Sequence, residues 1–225
     1  MDKSYLRADA EVATVRFIDA DALFRRGVKR ILCASGYRVA DYGSVGEFLL
    51  AGLSDVPGCV LLDIRLPGPS GLDLQEMLRT VPRPLPVVVL TGKATVHETV
   101  RAMKAGAVDF LLKPVDGRAL LSAVGKAVIK DAREREVREG QSALQAKYAT
   151  LSPREREVLA MLVEGALNKQ IGAQIGAAER TVKAHRAHLM VKMGVRSVAA
   201  LVRVADRLNE RHPARDGLQV SNVAA

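Results

Sequence analysis

Five residues spread over the first half of this 225-residue chain have the types needed to handle a phosphoryl group: Asp19, Asp21, Asp63, Thr91 and Lys113. A carboxylate can act as nucleophile, flanking acids hold a hard divalent cation, and a hydroxyl and an ammonium stabilise the equatorial phosphoryl oxygens. Taken singly, each has an ordinary reading, because an Asp after a strand commonly caps the next helix and a lone Lys is usually solvated. Their common position argues for a site. Short apolar runs at Thr14–Ile18, Tyr37–Val39, Cys59–Leu62, Pro86–Leu90 and Val108–Leu112 read as strands, and helical patterns separate them. Asp19 and Asp21 follow the first run, Asp63 the third, Thr91 the fourth and Lys113-Pro114 the fifth. Strand–helix alternation of this kind predicts an α/β domain with a parallel sheet, whose sites lie at the carboxyl ends of the strands, where these residues can converge.

A second constellation spans Leu151 to Leu208. Leu-Ser-Pro-Arg-Glu-Arg-Glu-Val-Leu opens a charged helix, Asn168 to Gly176 reads as a short helix ending at glycine, and a turn over Ala177–Arg180 leads into a helix from Thr181 to Met193. In that last helix Val182, Leu189 and Met193 form an apolar stripe, while Lys183, Arg186 and Lys192 project elsewhere. The pattern is a helix-turn-helix. A helix about 10–12 Å across fits the roughly 12 Å major groove of DNA, its cations can neutralise phosphates, and small Ala184 and Ala187 permit close approach to base edges. His185 and His188 have no Cys or carboxylate beside them at metal-ligand spacing, so they read as packing or phosphate-contacting residues.

The C-terminal segment resembles the LuxR-type DNA-binding domain through Leu151, Pro153, Arg154, Glu155, Glu157, Val158, Leu159, Gly165, Asn168, Lys169, Ile171, Thr181, Val182, His185, Lys192 and Val195-Arg196-Ser197. The resemblance implies that Lys183, Ala184 and Ala187 face bases and that Lys169, Thr181, Arg186 and Lys192 lie near the sugar-phosphate backbone of double-stranded DNA. Two alanines leave direct polar readout thin, so Lys183, DNA shape and partner contacts are expected to carry much of the preference. The N-terminal segment resembles the receiver domain of two-component response regulators through Leu61-Leu62-Asp63-Ile64-Arg65-Leu66-Pro67-Gly68, Leu90-Thr91-Gly92, Met103–Phe110 and Lys113-Pro114. Together the two resemblances indicate the NarL/FixJ class. They imply a flavodoxin-like five-stranded parallel receiver, Asp63 as phosphoacceptor, Thr91 as switch hydroxyl, Lys113 as phosphoryl-binding cation and Phe110 as the aromatic that changes rotamer. Mg²⁺ would be held by Asp19, Asp63 and the Arg65 carbonyl. A sensor histidine kinase and an active homodimer are the implied protein partners.

The sequence departs from the receiver pattern at one place: the family has two adjacent acids after the first strand, and here they read Asp19-Ala20. A metal-ligating carboxylate is missing, and Asp21, one residue on, points in another direction. Two readings follow: phosphorylation at Asp63 with weakened Mg²⁺ binding, or a phosphorylation-independent receiver switched by a partner or ligand. Lys93, two residues past Thr91, could place an ammonium near the pocket mouth. A more distant alternative takes Phe17-Ile18-Asp19-Ala20-Asp21 as the start of a haloacid-dehalogenase-like phosphatase with Asp19 as nucleophile. The leading reading is a DNA-binding regulator and not an enzyme.

Composition frames these motifs. With 48% hydrophobic and 4% aromatic residues, two aliphatic domains fit the length. The formal charge of +9 is uneven: residues 1–125 hold 16 Lys/Arg against 14 Asp/Glu, and residues 151–216 hold 12 against 7, so the cationic excess falls with the helix-turn-helix. The predicted organisation is a receiver over 12–125, a helical linker over 126–149, the DNA-binding domain over 150–208 and an unstructured tail over 209–225. Along the linker Val124, Ala127, Val128, Val137, Leu144 and Tyr148 could form a short dimer seam, broken at Gly140. Cys33 and Cys59 lack CxxC spacing and read as buried, reduced thiols. No apolar run reaches the roughly 18 residues of a membrane helix and the N-terminus has no signal core, so no membrane contact and a cytoplasmic location are expected.

Overall fold

The structure is a computed structural model that describes residues 12–52 and 54–209. The expected tail beyond Asn209 lies outside the described residues. Among the described residues fourteen elements occur in the order β1 (Thr14–Ile18), α1 (Ala22–Ala34), β2 (Arg38–Tyr42), α2 (Val45–Leu50), β3 (Gly58–Leu62), α3 (Gly71–Thr80), β4 (Val87–Thr91), α4 (Val96–Lys104), β5 (Asp109–Leu112), α5 (Gly117–Ala149), α6 (Pro153–Val163), α7 (Asn168–Ile175), α8 (Glu179–Met193) and α9 (Val198–Asn209). The chain divides into two compact units between Arg135 and Glu136.

In the first unit the five strands form one parallel sheet in the order β2-β1-β3-β4-β5. Every residue of β3 and β4 is buried, as befits strands covered on both faces. Period-two alternation sorts their side chains. Ile18, Val60, Leu62 and Val89 pack with Phe48 of α2, Leu74 and Leu78 of α3 and Ala102 of α4. Phe17, Cys59, Leu61, Val88 and Leu90 pack with Leu32 of α1 and with Leu120, Val124 and Ala127 of α5 on the other face. The second strand runs from Arg38 to Tyr42 rather than from Tyr37, because Tyr37 is taken by the turn after α1, where its N–H reaches the Leu32 carbonyl.

The amino ends of these strands carry a polar cluster. Arg16, buried in β1, donates to the Ser54 hydroxyl at 2.8 Å and the Val56 carbonyl at 3.0 Å. Asp131, only 1% exposed on α5, accepts from the Gly58 N–H at 2.8 Å and from Arg135 Nε at 2.7 Å. Arg135 also holds Asp55 at 3.0 Å.

Three expectations need correction. α5 continues through Gly140 to Ala149 without a break, since one glycine weakens a helix by only about 1 kcal/mol relative to alanine. The proposed seam is not continuous: Val124 and Ala127 are buried in the first unit's core with Val128 against it, Leu144 and Tyr148 pack on the second unit's core, and only Val137 is exposed. Cys33 is exposed, on the solvent side of α1, whereas Cys59 is buried and its thiol is pushed up to about 12 by desolvation.

The second unit is all α. Leu151, Val158, Leu162, Ile171, Val182, Leu189, Met193 and Leu201 form its core. Ser152 and Glu155 make a reciprocal capping box at the start of α6, with Pro153 in the first helical turn. α7 crosses close to the turn that precedes α8: a Cβ on Gly172 would lie 2.6 Å from the Ala177 carbonyl oxygen, so only glycine fits there. No described helix is long and apolar enough to cross a membrane.

Candidate functional site

Hydrogen bonds between neighbouring strand ends bring the predicted phosphoryl-handling residues together. The Asp63 N–H reaches the Ile18 carbonyl at 2.9 Å, which sets Asp63 beside the end of β1, and the Lys113 N–H reaches the Thr91 carbonyl at 2.8 Å, which joins the ends of β4 and β5. A Cβ on Gly71 would lie 2.3 Å from the Asp63 carbonyl oxygen, so glycine at the start of α3 is what lets that helix close over the β3 end.

Lys113 is the hub. Its Nζ donates to Asp19 Oδ2 at 2.5 Å and to Asp63 Oδ2 at 2.7 Å, and it lies 4.6 Å from the centre of the Phe24 ring. The remaining oxygens of both acids are also engaged, Asp19 Oδ1 by the Asp21 N–H and Asp63 Oδ1 by the Arg65 N–H, each at 2.9 Å. Burial drives the Asp19 carboxyl above its ordinary range, opposed by the Lys113 hydrogen bond. Burial pulls the Lys113 ammonium down, but its bonds to Asp19 and Asp63 win and hold it above the ordinary lysine value. The two directions have different causes: desolvation outweighs the hydrogen bonds at Asp19, and the two acids outweigh desolvation at Lys113.

Asp21 does not join this cluster. Its side chain caps α1, accepting from the Leu23 and Phe24 N–H groups at 2.9 and 3.0 Å, and these bonds hold its carboxyl below the usual range. Ala20 is exposed and supplies no oxygen ligand from its side chain. Among the described residues no group of three or more His, Cys, Asp and Glu side chains could hold a metal. Asp19 and Asp63 still bring two carboxylates to one cation, and Mg²⁺ commonly binds through one or two carboxylates with water and phosphate oxygens completing its shell.

Thr91 is buried and its hydroxyl donates to the Lys93 carbonyl at 3.2 Å, while Phe110 is half-buried against the α3 and α4 side of the core. Lys93 is exposed, and its contribution is that carbonyl, which also accepts from Arg65 Nε at 3.0 Å. The Arg65 guanidinium continues to Glu98 at 3.3 Å. Three participants were not anticipated from the sequence: Phe24, Glu98 and Arg25, whose guanidinium donates to the Asp19 carbonyl at 2.5 Å and pairs with Asp41. Their types are ordinary for helix faces, and only the three-dimensional arrangement marks them.

In the second unit α7, the Ala177-Ala178 turn and α8 form the expected helix-turn-helix, with α8 starting at Glu179. Val182, Leu189 and Met193 face the core, and Lys169, Thr181, Lys183, Ala184 and Ala187 are exposed. Among the described residues Lys183 pairs with Glu179, one turn away at 3.2 Å. Two of the predicted phosphate contacts have partners inside the unit. Arg186 is hydrogen-bonded to the Asn168 side chain. Lys192 Nζ lies 2.6 Å from the buried Glu155 carboxylate and 3.2 Å from the Thr150 carbonyl, tying α8 to the start of α6. The Lys192 ammonium and the Ser152 N–H depress the Glu155 carboxyl to about 2.

Comparison with known proteins finds one family match in each unit. Residues 15–125 match the family described as response regulator receiver domain, and residues 149–205 match bacterial regulatory proteins of the luxR family. Nodulation protein W of Bradyrhizobium diazoefficiens is 41% identical over 196 residues, covering 87% of this chain and 86% of that protein. The transcriptional regulatory protein FixJ of Azorhizobium caulinodans is 39% identical, covering 87% and 92%. Among solved structures, the response regulator StyR superposes with a TM-score of 0.79 at 39% identity, covering 87% of this chain and 99% of that one.

Proposed function

The chain belongs to the response regulators of the NarL/FixJ class, a receiver domain joined to a LuxR-type helix-turn-helix, and from that premise we propose that phosphorylation of Asp63 controls its binding to double-stranded DNA. The observation that carries this reading is the Lys113 bridge between Asp19 and Asp63 at the carboxyl end of a parallel sheet. In the resting pocket the ammonium occupies Asp63 Oδ2. For Asp63 Oδ2 to attack phosphorus, that oxygen must be released; as its bond to phosphorus forms, the bond from phosphorus to the donor's histidine nitrogen breaks, and Lys113 is then placed to hold a phosphoryl oxygen while staying on Asp19. The buried Thr91 hydroxyl is held by a single bond to a backbone carbonyl, so it can turn to a phosphoryl oxygen at small loss. A sensor histidine kinase is the donor this chemistry calls for.

Mg²⁺ would be held by Asp19, Asp63 and the Arg65 carbonyl, and when bound it would neutralise charge on the transferring group. With Ala20 in place of an acid that shell is one carboxylate short, so the requirement for Mg²⁺ shifts to higher concentration. Phosphorylation would change the association of receivers, and two linked helix-turn-helix units could then occupy half-sites about one DNA turn apart.

A phosphate-affinity gel of the full chain with acetyl phosphate, across a Mg²⁺ titration and beside Asp63→Asn, tests the proposal. A retarded band that requires Asp63 is expected. A folded, DNA-binding protein that shows no retarded band with acetyl phosphate or a phosphorylated histidine kinase would replace it with a receiver switched by a partner or ligand.

A further inference from the structure

The core-facing residues of α8 fix which side of it is free. At 100° per residue, Val191 lies opposite buried Val182, and Arg180, Ala184 and Ala187 fall within about 40° of the same outward line. All four are exposed, and Val191 is 80% exposed, among the most exposed large apolar side chains of the described residues. Two cations of the same helix cannot mask this line, because Arg186 is held by Asn168 and Lys192 by Glu155 and Thr150. The outermost face of α8 is therefore cationic at Arg180 and apolar at Ala184, Ala187 and Val191, with Lys183 about 80° to one side of it and exposed His188 about 60° to the other.

The major groove presents one apolar group, the C5 methyl of thymine. On the reading that α8 enters that groove, we infer that Val191, together with Ala184 and Ala187, selects DNA by packing on thymine methyls, and that Val191 is a specificity-determining residue. Ala184 and Val191 are seven residues apart, about 10 Å along the helix axis, the rise of about three base pairs. The preferred half-site thus carries thymines within a three-base-pair step, with the polar contacts of Arg180 and Lys183 to one side. This gives direct readout an apolar source beside the polar contacts of Arg180 and Lys183.

The test begins with selection of duplexes from a random pool by the full-length protein, with and without acetyl phosphate. Each thymine of the enriched half-site is then replaced by uracil, which removes the methyl and leaves every hydrogen-bonding edge intact. Binding is measured by gel shift at fixed salt. Uracil is expected to weaken binding about three- to fivefold at each contacted position, the effect of removing one buried methyl. Val191→Ala should abolish the uracil effect at one position and leave the others. Because Val191 is exposed, the variant folds as the parent does. Enriched duplexes indifferent to uracil would overturn the thymine reading alone, as would a Val191→Ala protein with an unchanged uracil profile and an altered sedimentation coefficient, which would assign Val191 to self-association. Failure of the folded protein to enrich any duplex in either state would overturn the DNA-binding reading and this inference with it.

Discussion

At the scale of single residues, the receiver pocket is defined by one missing acid and one shared cation. Restoring the acid with Ala20→Asp is expected to lower the Mg²⁺ concentration needed for half-maximal phosphorylation at least tenfold, the order seen when metal ligation is perturbed elsewhere; the phosphate-affinity titration reads this directly. Lys113→Met leaves two buried or nearly buried acids without their common partner and should lower stability by about 2–4 kcal/mol at neutral pH, less than for a fully enclosed pair because Lys113 is 17% exposed. The deficit should shrink as pH falls. Asp19 is already raised by burial, and an acid with a raised folded value destabilises the fold only once it is ionised. Urea unfolding of the variant at two pH values on either side of that titration checks the sign. The acids, the hydroxyl and the lysine were legible in the sequence because they end apolar strands. The roles of Phe24 and Arg25 were not, since they depend on how α1 lies over the β1 end.

At the scale of elements, the helix-turn-helix is held by a short polar joint as well as by its core. Glu155 closes its own helix cap and receives Lys192 from α8, so one carboxylate fixes both the start of α6 and the end of α8. Its value is depressed from 4.5 to about 2, so its contribution to stability is complete above about pH 4.5 and is lost as pH falls towards 2. Glu155→Gln should flatten that part of the acid unfolding profile of the full chain, as followed by helical circular dichroism, and lower the melting temperature at neutral pH. The strand and helix order was readable from apolar periodicity, and so was the α7–α8 pair, whose turn is bounded by glycine. The occupation of Lys192 was not readable. A lysine on a DNA-binding helix looks the same in sequence whether it faces phosphate or a carboxylate 37 residues upstream.

At the scale of the whole molecule, the residues of α5 serve both units in turn. Leu120 to Ala127 belong to the receiver core, and Leu144 and Tyr148 to the helical core of the second unit. That division explains why a dimer seam read from spacing alone failed: the same apolar periodicity serves two separate interiors. Between them, Asp131 and Arg135 clamp α5 to the segment from Asp55 to Gly58 that leads into β3, the strand whose other end leads to Asp63. Asp131→Ala deprives the buried Gly58 N–H of its acceptor and should cost about 1–3 kcal/mol. Hydrogen exchange resolved at Gly58 would show whether the loss is local, with faster exchange there than at Leu61.

The clamp also bears on where the receiver can be severed. The receiver family match ends at residue 125, yet Ala127 fills the core and Asp131 and Arg135 seal its base. A fragment trimmed to residue 125 would keep every phosphoryl-handling residue and still be an unfinished body, with an orphaned amide at the mouth of its central strand. A receiver cut from this chain keeps Ala127, Asp131 and Arg135 only if it carries the two to three turns of α5 that follow the family match.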